Sequence, residues 1–108
     1  MNTQINYLYR DACNYKKFSS VTLPGEITEE QEAAIMGSLH DGEFFLPGQV
    51  GLPGDNRYSG SVDDHPWFEL ENIGLTDREP TTSMTLEELA GNFREARGNW
   101  QTEKYYPY

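Results

Sequence analysis

Two short runs carry the residue types that hold metals and move protons: His40-Asp41-Gly42-Glu43 and Asp63-Asp64-His65. Together they would offer two imidazoles and several carboxylates, a donor set suited to zinc, manganese or iron. A small metal-dependent enzyme or ligand binder built on the His40/Asp41/Glu43 and Asp63/Asp64/His65 clusters is therefore the catalytic alternative. The spacing argues against it, because neither histidine belongs to an HExxH pattern. In the simpler reading, His40 finishes a helix and Asp63-Asp64 lies on a solvated loop.

Other signals are weaker. Asp55-Asn56-Arg57-Tyr58-Ser59-Gly60 has the outline of a calcium loop, but Arg57 stands where an oxygen ligand is needed. The twelfth position, which should hold a glutamate, is Pro66. The run from Gly48 to Gly54 lacks the GK[ST] ending of a phosphate loop. Cys13 has no flanking feature that would activate a thiol, so it reads as a packing residue in a turn. No catalytic residue, metal or cofactor is expected from these patterns.

Composition narrows the classes further. The 108 residues have the size of one domain, taken as 1–108. Eighteen acids against eight Lys and Arg give a formal charge of −10. That charge repels phosphate backbones and anionic lipid surfaces, so direct nucleic-acid or membrane binding is not expected, while basic proteins remain suitable partners. One cysteine allows no internal disulfide, which fits a reducing compartment. The first residues, MNTQINYLYR, lack the pattern of a secretory signal, and the expectation is a cytoplasmic protein. Hydrophobic residues make up only 36%, but seven Tyr, five Phe and two Trp promise a core built on rings.

The elements that position these residues follow from periodicity. Gln4 to Arg10 alternates as a strand, and Tyr15 to Leu23 returns beside it. The Phe18-to-Val21 spacing suggests a bulge at Ser19–Ser20. Thr28 with Gln31 forms a capping box for a helix from Glu29 to His40, with Ala34, Ile35 and Leu39 inward and Gly42 as its stop. Glu43 to Leu46 is a short strand closed by Pro47, and Trp67 to Ile73 is a fourth. The three Leu-Pro-Gly tripeptides, beginning at Leu23, Leu46 and Leu52, read as type II turns. Thr85 with Glu88 caps a second helix that carries Leu86, Leu89, Ala90, Phe93 and Trp100. The expected fold is α+β: a four-stranded antiparallel sheet with two helices on one face, in the order ββαββα.

Alternation predicts that the sheet face away from the helices carries several large rings, which need cover by the loop from Gly48 to Val62, by the C-terminal tyrosines, by a second copy or by a partner. Tyr58, Asp63, Asp64, His65 and Trp67 are the candidate partner-binding residues, aromatic anchors with an acidic rim.

The phrases YLYRDACNYK, GEFFLPGQVGLP and DDHPWFEL together resemble a family of small uncharacterised bacterial proteins associated with mobile or conjugative elements. The resemblance spans roughly residues 7 to 70 and implies no assigned activity, so it transfers no functional residue. The resulting expectation is a non-enzymatic protein-interaction module. Its narrower form is an acidic inhibitor or DNA mimic with carboxylates spaced like phosphates over one surface.

Overall fold

The computed structural model describes residues 1–10, 16–53 and 67–102. Pairing along both of its edges makes β1 (Asn2–Arg10) the central strand, with β2 (Lys16–Leu23) antiparallel on one side and β4 (Phe68–Thr76) antiparallel on the other. β3 (Phe44–Phe45) pairs with the first residues of β4, giving the order β2-β1-β4-β3. The helices are α1 (Glu29–Ser38), α2 (Pro47–Val50) and α3 (Leu86–Ala96). The four-stranded antiparallel α+β fold expected from the sequence is therefore present, with one additional short helix.

All three helices contribute to one core on one face of the sheet. Ile5, Tyr7, Tyr9, Val21, Leu23, Phe45 and Phe68 meet Ile35, Val50, Leu89 and Phe93. Rings dominate it: Tyr7 packs edge-on against Phe45 at 5.4 Å, Tyr9 tilts on Phe68 at 5.4 Å, and Phe45 meets Phe93 at 5.6 Å. Tyr7 is fully buried and donates its phenol hydrogen to the Pro53 carbonyl. Burial pushes that phenol up to about 12.

This arrangement corrects the expectation of a ring-bearing second face. The register places Gln4, Asn6, Leu8 and Arg10 on the outer face, opposite Thr22, Ser20, Phe18 and Lys16. The outer surface is largely a polar ladder. Gln4 Nε2 donates to Ser20 Oγ at 2.9 Å, and Asn6 Nδ2 donates to Asn72 Oδ1 at 2.7 Å. Arg10 Nε holds Glu69 Oε2 at 2.8 Å, a hydrogen bond that raises the guanidinium pKa. The large rings of β1, β3 and β4 turn inward, apart from Phe44, whose register partner is Glu69.

The bulge is also displaced from its expected position. β1 and β2 pair without a break, so Ser19 and Ser20 hold no bulge; Phe18 faces outward across from Leu8 and is 64% exposed. The irregularity lies in β4, where Asn6 faces Asn72 but Tyr7 faces Leu70. The extra residue, Glu71, keeps Leu70 and Ile73 on the same helix-facing side despite their odd spacing.

Three local expectations fail. Leu46-Pro47-Gly48 is not a type II turn: Pro47 occupies the first helical position of α2, where its fixed φ and missing N–H do no harm. Gly51 closes that helix at φ +87°, with its N–H on the Pro47 carbonyl. At Pro24-Gly25 the chain does bend, with Gly25 at φ +90°, the sign a type II turn asks of its glycine. α1 ends at Ser38, short of His40, and Gly42 does not cap it. The predicted extension of α3 to Trp100 likewise stops at Ala96.

Candidate functional site

α1 and α3 lie side by side and parallel. At their amino ends Gln31 Nε2 donates to Glu87 Oε2 at 3.2 Å, and at their carboxyl ends Trp100 Nε1 donates to the Ser38 carbonyl at 3.1 Å. The amino ends gather Glu29, Glu30, Glu32, Glu87 and Glu88 in their first turns. The helix dipoles favour negative charge there, and both capping boxes form as the sequence predicts. Part of the acidic excess is thus placed by helix physics.

The carboxyl ends open on a groove of about 490 Å³. Its floor is the end of α1, from Gly37 to Leu39, and the turn after α3 at Arg97 and Gly98; its walls are His40, Trp67 and Trp100. A tight reversal builds the first wall. Leu39 leaves the helix in an extended conformation, and Asp41 and Gly42 take φ values of 53° and 75°. An Asp-Gly pair suits such a turn, because both residues tolerate the left-handed region. His40 and Phe44 then exchange backbone hydrogen bonds of 2.7 and 2.9 Å. Pairing of Phe44 with Glu69 brings the reversal to the start of β4.

As a result, the imidazole of His40 stacks on the indole of Trp67, with centroids 4.5 Å apart and planes 6° from parallel. Trp67 meets Trp100 edge to face at 6.3 Å, and Trp100 meets Phe93 at 6.0 Å, which ties the wall to the core. Phe44 lies tilted against Trp67 with centroids 6.4 Å apart. The groove carries both signs of charge. Asp41 lies 3.5 Å from His40 Nε2 and is largely exposed, while Arg97 has no ion pair among the described residues. α1 has no basic residue in its own last turn, so the negative end of its dipole faces the groove, met there by the Trp100 N–H on the Ser38 carbonyl.

Of the candidate partner-binding residues, Trp67 lies in this groove. Tyr58, Asp63, Asp64 and His65 lie outside the described residues, as do Cys13 and the Asp55–Gly60 run. Of the other predicted cluster, His40 and Asp41 reach the groove, whereas Glu43 acts electrostatically on Arg10 at the sheet's outer face. Among the described residues no three His, Cys, Asp or Glu side chains converge as a metal site. What the groove offers is flat aromatic surface, one carboxylate and one guanidinium.

The periodicity puts Trp100 on the helix stripe and singles out no role for Arg97. Gly98, at φ +69°, carried the missed signal. A glycine just past an apolar helical run marks the helix end, and residues beyond it turn away from the stripe.

No protein-family model, curated protein or solved structure matches this chain.

Proposed function

We propose that this protein is a non-enzymatic interaction module that binds a basic protein partner through the groove between His40, Trp67 and Trp100. The observation that carries the reading is the stack of an exposed His40 on a partly buried Trp67, which together wall an open groove at two helix carboxyl ends. A monomer gains little by leaving stacked rings at its surface, whereas tryptophan anchors are the residues that dominate interfaces. A lysine or arginine side chain suits this site: its cation meets indole surface, the end of the α1 dipole and Asp41. The net charge of −10 steers such a partner over longer range. Arg97 selects within basic surfaces, favouring one that also presents a carboxylate.

The test is affinity capture from the source cell with wild-type protein, His40→Ala and Trp67→Ala, each first checked for a cooperative thermal transition. The expected result is a basic protein retained by the wild type and weakened at least about tenfold by either substitution. A partner retained equally by all three proteins would remove the groove from the account.

A further inference from the structure

A second surface, independent of the tryptophan groove, lies along the other long side of β4. β3 covers only the beginning of this strand: it pairs with Phe68 and Glu69, and the Leu70 N–H reaches the Glu43 carbonyl at 3.2 Å. Beyond that point, among the described residues, β4 pairs with β1 alone. From Asn72 to Thr76 the register with β1 is regular, so this stretch is a straight strand edge. Every second residue of such an edge turns its N–H and C=O outward, unpaired by the sheet.

The other edge of the sheet is treated differently. β2 carries Lys16 and Lys17, and Thr81 caps Thr22 from outside through two backbone-directed hydrogen bonds of 2.9 Å. Lysines and covering loops are the usual protection of an edge strand. β4 has neither lysine nor proline in its sequence, FELENIGLT.

Beside the open edge runs a narrow groove of about 130 Å³ between β4 and α1, lined by Met36, Leu70 and Ile73 with Glu32 and Glu71. The register puts Leu70, Ile73 and Leu75 on the helix-facing side of the strand. Met36 and Leu75 are 47% and 51% exposed, two of the few large apolar side chains left open to solvent. Among the described residues Glu32 and Glu71 have no cationic partner. A strand edge, an adjacent helix, an apolar trough between them and uncompensated acids on both walls together form a strand-addition site.

We propose that the open edge of β4 accepts an extended, basic segment of a partner protein, which adds to the sheet as a fifth strand. Its backbone pairs with Asn72–Thr76. Its alternate side chains enter the trough against Met36 and Ile73, and its cations meet Glu32 and Glu71. Charge decides against a second copy as occupant. Each copy carries −10, and edge-to-edge pairing would set two acidic troughs against each other.

The probe is a capped synthetic peptide of roughly seven residues, alternating valine and lysine. Its control has the same sequence with N-methyl groups on alternate residues, which preserve charge and side chains but block one hydrogen-bonding edge. Amide NMR should show alternate residues of Asn72–Thr76 gaining exchange protection with the peptide and not with its methylated form. Met36→Lys, at an exposed position, should weaken binding about tenfold or more. Trp67→Ala should leave it unchanged, which separates this site from the tryptophan groove. Equal binding by the methylated peptide, or shifts confined to the α1 acids, would overturn the proposal. Concentration-dependent protection of the same amides without peptide would overturn the assigned occupant in favour of a second copy.

Discussion

Replacing Tyr7 by phenylalanine should make the stability difference from wild type reverse with pH. Tyr7 is fully buried, its ring wedged against Phe45 and Phe68 and its hydroxyl bonded to the Pro53 carbonyl. Near pH 8 the variant loses that bond, while the exposed Pro53 carbonyl can turn to water, at a cost of about 1 kcal/mol. At higher pH the sign works the other way. The phenol ionises at about 12 in the folded protein against an ordinary value of 10.0. The unfolded chain therefore releases the proton first, and the stability held by this group falls as pH rises from 10 towards 12. Between pH 9 and 11.5 the linkage removes about 2 kcal/mol from the wild type, a loss that Tyr7→Phe cannot suffer. Urea unfolding of both proteins across this range isolates the term, because the other tyrosines and the lysines titrate in both. The gap should shrink steadily above pH 10 and vanish or invert by pH 11.5. A pH-independent gap would refute the reasoning, since the phenol would then not be held neutral by burial.

Three further outcomes follow from the same packing. Thr28→Ala and Thr85→Ala each remove a cap that accepts a backbone N–H at 3.1 or 3.0 Å, and each should cost about 1 kcal/mol in denaturant unfolding. Phe45→Ala empties the centre of the ring core and should cost about 3–5 kcal/mol, with a clear drop in melting temperature. Phe18→Ser, although it changes an aromatic residue of a strand, should stay within about 0.5 kcal/mol of wild type, because that ring already faces water.

Where the sequence reading held, local rules and tertiary packing agreed. Ile5, Tyr7 and Tyr9 alternate without interruption, and they form the buried row of the central strand. Both capping boxes sit where hydroxyl and amide or carboxylate groups are three residues apart. The reading failed where one feature had two physical solutions. The Phe18-to-Val21 spacing could be met by a bulge or by exposing Phe18, and the chain exposes Phe18. The odd step from Leu70 to Ile73 presents the same choice, and there a bulge is used, because both residues border the core.

The candidate groove was legible only in parts. His40 and Trp67 both drew attention, but as members of separate clusters 27 positions apart in sequence. Their stacking depends on the Asp41-Gly42 reversal and on the short β3–β4 pairing, which together bring the two ends of a long stretch into register. Trp100 joins them because α3 ends early and Gly98 turns the chain back over the end of α1. These are tertiary events, and no window of the sequence encodes them alone.

The claim that the groove is the binding surface can be tested most directly by site-specific photocrosslinking in the source cell. A photoreactive residue replaces Asp41 at the groove rim in one protein and Phe18 on the outer sheet face in another; both positions are well exposed. The account predicts that position 41 captures a basic protein through a segment bearing lysine or arginine, and that position 18 captures none. Capture of that partner from position 18, with none from position 41, would contradict it.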